Sequence, residues 1–443
     1  MRCFALINNV NYSAKELADI VGGELCGENK FFKKISIDSR EKSLSEHCFF
    51  AIKGKKFDGA DYVEQAIRNG ACVIVTERRS NTSVATIFVE NAVKALGLLA
   101  RHHKKNARVI GVTGSYGKTC VKDMIISVLS EKYDVAGTAM NYNNEIGVPL
   151  TLLSVINEEF CVVEMGMRAL GEIEWLSYIS EPDLAVITSC GTAHIELLGS
   201  AENIFKAKTE ILLHTKSCCV LPCTEKFVEL DCKTLNKILV GNGSSYFAED
   251  IEKQGGIMSF KIRGHEFFLK TIYAHNVQNA VIAYAVGKCY GLSDGEIKNG
   301  LLKWKQRENR GVVFACNGVR VINDCYNASY ESVVSAVAAL SDLKVDNVKT
   351  AVLLGDMLEL GSHAEEMHKS VGRLCKEKKI DLLFAVGRHA KSYIKGFGGG
   401  TELDGNGNII EAVMGELNEG DFLLVKASNA MGFEKIIDKL REK

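Results

Sequence analysis

The stretch Val109-Ile110-Gly111-Val112-Thr113-Gly114-Ser115-Tyr116-Gly117-Lys118-Thr119 constrains the fold of this chain more than any other. Its apolar start reads as a buried strand, its glycines as a tight loop, and Cys120 to Leu129 repeats apolar residues at helical spacing. Strand, loop and helix in that order make a phosphate cradle. Glycines let backbone N–H groups turn inward, the helix N-terminus adds partial positive charge, and Lys118 adds a full one. Gly114, Ser115, Gly117 and Lys118 are therefore expected to hold phosphates, with the Thr119 hydroxyl offered to Mg²⁺. The strict spacing of such loops is not met, since Val112 stands five positions before Gly117, where a glycine is usual. An ordinary strand-to-helix turn would explain Gly114 but would leave Gly117-Lys118-Thr119 without a reason.

In open α/β sheets ligands gather at the carboxyl ends of the strands, so later strand ends matter next. Phe160 to Glu164 is a continuous apolar run closed by an acid, the pattern of a central parallel strand, and it makes Glu164 the second Mg²⁺ group beside Thr119. Leu184 to Thr188 repeats the arrangement, with Ala193-His194-Ile195-Glu196 past its end. A solitary histidine is more often structural, but three strands delivering Lys118, Glu164 and His194 to one edge favour a metal or phosphate role. Asn143 and Asn144 lie in a polar loop suited to hydrogen-bonding a ligand. Ile204 to Leu213 reads as a helix whose Lys206 and Lys208 are expected to be exposed. Asn276 and Asn279 share one side of the first turn of an apolar helix, and read either as caps or as ligands of a nucleotide.

Residues 1–85 read as a compact α/β unit, with a helix over Ser13 to Val21, strands within Lys34 to Ile52, a helix near Tyr62 to Asn69 and a strand near Cys72 to Val75. Its Asp38-Ser39-Arg40 and Lys53-Gly54 read equally as contacts to an anionic ligand and as turn and surface charge. A helix over Asn91 to His103 links this unit to a second spanning 86–310, in which Ser217 to Lys270 reads as a small sheet extension. After Arg310, strands near Val319 to Ile322, Thr350 to Leu354, Leu382 to Val386 and Phe422 to Val425 alternate with helices near Ser332 to Leu340, Glu365 to Lys376 and Phe433 to Leu440. Residues 311–443 are thus expected to form a second doubly wound unit without a phosphate loop of its own. Gly396 to Gly400 reads as a flexible surface turn.

Basic and acidic residues are balanced, 54 against 55, which argues against nucleic-acid or membrane-surface partners and for small soluble ones. No window reaches about 18 uncharged apolar residues, and Met1 to Asn11 lacks a long apolar core, so neither a membrane span nor export is expected and the cytoplasm is the expected compartment. Fifteen cysteines without C-x-x-C spacing read as reduced, mostly buried small apolar residues.

Several stretches together resemble the Mur ligases, the ATP-dependent amide-bond-forming enzymes of peptidoglycan precursor synthesis. These are Asp38-Ser39-Arg40, FFAIKGKKFDGADYVEQAI from Phe49, the loop at Gly111, NNEIGVPLTLL from Asn143, VVEMGMR from Val162, AHIELLGS from Ala193, AKTEIL from Ala207, HNVQNA, NDCYNAS and LLGDMLELGSHAEEMH. NNEIGVPLTLL, VVEMGMR and GDMLELG resemble the branch that adds D-alanyl-D-alanine. The resemblance implies an α/β protein of three domains: one for a UDP-linked substrate, a central P-loop ATPase-type domain and a C-terminal Rossmann-like domain. It implies ATP and Mg²⁺ as cofactors, and UDP-N-acetylmuramoyl-tripeptide and D-alanyl-D-alanine as substrates joined through an acyl phosphate by a monomer.

By the same resemblance Lys208 matches a lysine that the family carbamylates, Asn276 and Asn279 lie near the nucleotide, Arg310 reaches the γ-phosphate, and Asp324 binds the ribose. Ser39, Arg40, Lys53, Gly54 and Asp58 fall in segments lining the UDP pocket, and Tyr326 and Asn327 near the incoming dipeptide. The chain departs from the family at Asn309, where glycine is usual, at Ser329-Tyr330, where Asn-Pro is usual, and at Ala427-Ser428-Asn429-Ala430-Met431, where Gly-Ser-Arg-Gly-Met is typical. Alternative readings are a Mur-type ligase with another amino-acid, dipeptide or depsipeptide acceptor, and a nucleotide-binding homologue without turnover.

Overall fold

The computed structural model describes residues 7–79, 82–104, 107–404 and 408–442, so the first six residues of the amino-terminal segment discussed above lie outside it. Three six-stranded sheets follow one another along the chain, with a three-stranded meander beside the second. In the first sheet four parallel strands, Phe31–Ser36, His47–Phe50, Val73–Thr76 and Ala85–Phe88, are flanked by the antiparallel edges Ile7–Ser13 and Glu24–Cys26. This sheet runs past residue 85, the expected end of the unit. Ala85–Phe88 is paired on both sides, so its start cannot be a boundary.

The second sheet is wholly parallel, in the order Asn236–Val240, Cys218–Pro222, Leu184–Ile187, Arg108–Thr113, Phe160–Glu164, Val135–Gly137. Its central strands are largely apolar because helices cover both faces. One face carries Ala92–His103, Gly147–Leu153, Glu172–Ser180 and Ala201–Thr209. The other carries Lys118–Leu129, the almost wholly buried His275–Cys289, Asp294–Lys303 and the meander Glu249–Gln254, Ile257–Ile262, His265–Lys270. The expected extension within 217–270 is therefore split: two strands join the sheet, and three form a separate antiparallel layer. One apolar cluster runs without a break from Val10, Leu17 and Phe32 of the first unit through Leu96 and Leu99 to Leu152 and Val163 of the second.

The third sheet has the order Val312–Cys316, Val319–Asn323, Phe422–Lys426, Thr350–Leu354, Leu382–Val386, Thr401–Leu403, parallel apart from its first hairpin. Helices Tyr330–Ser341, Ala364–Glu377 and Ala390–Phe397 pack on one face, and Ile409–Met414 and Glu434–Arg441 on the other, the expected doubly wound arrangement. Gly396 is not part of a surface turn. It is buried inside Ala390–Phe397, where a Cβ would lie 2.0 Å from the Lys369 carbonyl oxygen, and Gly372 opposite would meet the Tyr393 oxygen at 2.1 Å. Only these two glycines allow the helices so close, and the turn itself begins at Gly398.

Candidate active site

Strand Arg108–Thr113 lies mid-sheet and ends in the loop read above as a phosphate cradle. Gly114 has φ +151° and a Cβ there would meet Thr188 Oγ1 at 2.0 Å; Gly117 has φ +81°, so both positions need glycine. The neighbouring strand's outlet fixes the loop. Tyr116 N–H donates to Ser189 Oγ (2.9 Å), Ser115 N–H to the Ser189 carbonyl (3.0 Å), and Gly191 N–H to Ser115 Oγ (2.9 Å). Helix Lys118–Leu129 then starts, and Lys118 Nζ folds back to donate to the Gly114 carbonyl at 2.7 Å. Burial lowers the Lys118 pKa, the Glu164 carboxylate opposes this, and Arg310 adds to it.

Glu164 pairs in register with Val112 and is 3% exposed. Its Oε1 accepts from Asn143 Nδ2 (2.9 Å), while Oε2 is buried without a hydrogen-bond partner. A buried anionic oxygen left unpaired is costly. With the Thr119 hydroxyl it fits a hard divalent cation, of the kind that takes one or two carboxylates and completes its shell with substrate phosphates and water. Among the described residues no group of three His, Cys, Asp or Glu side chains forms a metal site by itself.

Lys208 corrects the expectation of an exposed lysine. Helix Ala201–Thr209 turns Ile204, Ala207 and Lys208 inward; of its two lysines Lys206 is exposed, and Lys208 has 0% exposure with Nζ unpartnered. Burial, reinforced by Lys118, pushes its pKa well below the ordinary lysine value, a shift towards the neutral, nucleophilic amine. His194 has a left-handed backbone, φ +67°, and its Nδ1 lies 2.5 Å from Glu359 Oε2 of the third sheet's unit. That contact holds the Glu359 carboxyl below its usual range.

Asn276 and Asn279 are buried and linked, Asn279 Nδ2 donating to Asn276 Oδ1 at 2.9 Å. The cap of their helix is Ala274, without a side-chain bond, so the capping reading falls, and Asn279 lies against Gly117. From the far side Arg310 places Nη2 3.5 Å from Thr119 Oγ1, its guanidinium 3.9 Å over the Tyr326 ring. Asp324, 7% exposed, pairs with Lys426 at 2.7 Å, and Lys426 also donates to the Asn327 carbonyl at 2.9 Å. Burial lowers the Lys426 pKa while Asp324 raises it. Nearby His275, its Nδ1 2.7 Å from Ser335 Oγ, has its pKa lowered to about 4 by burial.

Other residues singled out in the sequence stand apart. Asn144 lies just before helix Gly147–Leu153, its Oδ1 accepting from Gly147 N–H at 2.9 Å. In the first unit Ser39 is buried with Oγ 3.3 Å from Gln65 Oε1, while Arg40 has an 81% exposed side chain paired only with Asp38. Lys53 and Asp58 bridge a small loop that Gly54 N–H closes on the Phe57 carbonyl at 2.8 Å, and Asp58 caps Ala60 and pairs with Arg78. Three residues escaped notice: Glu359, Lys426 and Glu331, whose Oε1 accepts from Thr192 N–H at 2.7 Å. Glu359 did lie in the GDMLELG string, but nothing local told what it meets.

Fold and site define a phosphate-loop nucleotide-binding α/β protein whose loop is faced by a second doubly wound unit. Family models described as Mur ligase family, catalytic domain, Mur ligase middle domain, and Mur ligase, glutamate ligase domain match residues 32–110, 112–287 and 309–429. The chain belongs to the Mur ligase family. It is 35% identical to the UDP-N-acetylmuramoyl-tripeptide--D-alanyl-D-alanine ligase of Bacillus subtilis over 98% of this chain and 99% of that protein, and 29% identical to the Escherichia coli protein of the same name over 98% and 99%. Among solved structures it is similar to MurF from Acinetobacter baumannii (TM-score 0.92, 29% identity, 98% of this chain and 100% of that one). It is also similar to MurF ligase from Thermotoga maritima in complex with ADP (0.83, 29%, 92% and 97%).

Proposed function

We propose that this chain is an ATP-dependent ligase that joins D-alanyl-D-alanine to UDP-N-acetylmuramoyl-tripeptide in peptidoglycan precursor synthesis. The observation that carries the reading is the meeting of Lys118, Thr119, the unpartnered Glu164 oxygen and Arg310 at one strand edge. A carboxylate oxygen of the tripeptide attacks the γ-phosphorus, the bond to the β–γ bridging oxygen breaks, and ADP leaves. The dipeptide amine then attacks the acyl carbon, loses a proton, and inorganic phosphate departs. Such phosphoryl transfer asks mainly for positioning and charge neutralisation. Lys118 and the loop amides at Gly114, Ser115 and Gly117 hold phosphate oxygens, and Arg310 brings positive charge from the junction with the C-terminal unit. Mg²⁺, when held by Thr119, Glu164 and His194, neutralises charge on the β- and γ-phosphates.

The buried, unpartnered Lys208 amine, with its pKa pushed down, is suited to adding CO₂ with release of a proton, giving a carbamate whose oxygens would join the residues that hold the metal. Asn276, Asn279 and Asp324 seat the nucleotide. Ser39, Arg40, Lys53, Gly54 and Asp58 contact the UDP moiety, Asn143 and Asn144 border the donor peptide, and Tyr326 and Asn327 meet the dipeptide. The three units, the first running past residue 85 to include Phe88 and the third spanning 311–443, divide these tasks as UDP-substrate, ATP and dipeptide units. A monomer in the cytoplasm completes the proposal; among the described residues no helix is long and apolar enough to cross a membrane.

Asn429, where the family has an arginine, favours one second reading, an altered acceptor. ADP release measured with UDP-muramoyl tripeptide against D-dipeptides, depsipeptides and single amino acids decides between them. D-Alanyl-D-alanine is expected to give the highest rate, and absence of ADP with it overturns the proposal.

A further inference from the structure

The short loop Gly191 to Glu196 carries His194 and is gripped at both ends by the C-terminal unit. At its start Thr192 N–H donates to Glu331 Oε1 at 2.7 Å, and a Cβ on Gly191 would lie 2.6 Å from that oxygen. At its end Glu196 N–H donates to the Glu359 carbonyl at 3.2 Å, and a Cβ on Gly361 would approach the Glu196 side chain to 3.2 Å. Between these grips His194 Nδ1 meets Glu359 Oε2 at 2.5 Å. His194 and Glu359 both hold left-handed backbone, φ +67° and +62°. Non-glycine residues seldom adopt it, and such strain persists only where the surroundings over-determine it. Glu359 belongs to the segment Gly355 to Gly361, which none of the roles above employs.

We propose that Glu359 is a positioning residue for His194: its carboxylate accepts the Nδ1 proton, which fixes the ring and keeps the Nε2 lone pair for the metal and phosphate group. The inference rests on the ligase reading above. A histidine that serves a metal through one nitrogen regularly gives its other N–H to a carboxylate, which sets tautomer and orientation. Because Glu359 comes from the C-terminal unit, His194 is set only while that unit is docked. Glu331 steadies the same loop without touching the ring, so it holds the backbone and Glu359 holds the imidazole.

The test uses the full chain labelled with ¹⁵N-histidine, in wild type, Glu359→Leu and Glu359→Gln, with the His194 signals assigned by His194→Gln. With Mg²⁺ and ADP, wild type is expected to show His194 protonated at Nδ1 and not at Nε2. Glu359→Leu should show mixed tautomers and a kcat lower by about 10–100-fold, the usual loss for such outer partners, with KM for ATP little changed. Glu359→Gln retains an acceptor oxygen and should keep the tautomer with a smaller loss; it also carries the test if the leucine variant fails to fold. Unchanged His194 signals in Glu359→Leu, or kcat at the wild-type level in both variants, overturn the inference. Wild type that forms no ADP overturns the ligase reading instead, and the ¹⁵N signals still judge Glu359.

Discussion

Lys118 is half-buried, and its ammonium donates to carbonyls of its own loop, Gly114 at 2.7 Å and Ser115 at 3.4 Å, rather than tying the loop to another element. Lys118→Ala is therefore expected to cut ADP formation by at least about 10²-fold, the scale of losing one fixed donor at developing charge, while changing stability by less than about 1 kcal/mol. Parallel rate and thermal-unfolding measurements check both. Lys208 presents the opposite case. Its unpartnered buried amine costs stability, so Lys208→Met should gain about 1–3 kcal/mol at pH 7 and abolish turnover. The pH dependence has a definite sign. A depressed lysine pKa means that the unfolded chain binds more protons than the folded one between that depressed value and 10.5, so wild-type stability rises with pH across this window. The advantage of Lys208→Met should shrink accordingly, and urea unfolding at several pH values without bicarbonate measures it. A constant difference would mean that Lys208 is not held neutral.

At the scale of elements, the contact between Ala364–Glu377 and Ala390–Phe397 depends on two glycines facing backbone oxygens. Backbone cannot yield as a side chain can, so Gly396→Ala is expected to destabilise by about 1–3 kcal/mol or more in chemical unfolding, with the ATP half of the site unchanged. That contact also shows where sequence reading stops. Gly396 stands beside Gly398, Gly399 and Gly400, and composition made one turn of all four; only the facing Gly372, far along the chain, tells them apart. Central strands such as Phe160–Glu164 were legible because burial on both faces leaves continuous apolar runs, and their acidic or glycine ends marked the site. Lys208 was not, since one lysine on a short helix looks the same facing in or out. Glu331 and Glu359 were not legible because their partners, Thr192 and His194, lie 139 and 165 residues away.

For the whole molecule, Arg310 at the junction with the C-terminal unit reaches Thr119 at the end of the phosphate loop, that unit grips the His194 loop through two carboxylates, and Arg307 of the connecting segment pairs with Asp123 at 2.7 Å. Closure of this unit is expected to be what nucleotide and donor substrate stabilise. Small-angle scattering should show a smaller radius of gyration with an ATP analogue plus UDP-muramoyl tripeptide than without them, and identical profiles would contradict it. The first and second units have no comparable freedom, for a single apolar cluster from Val10 to Val163 fuses them. On the proposed placement of the sugar nucleotide at the amino-terminal unit, the gap between it and the phosphate loop would in consequence be a fixed gauge. A stem one residue too short or too long would leave its carboxyl out of reach, so the enzyme measures how far its donor has grown before it ever reads what the donor ends in.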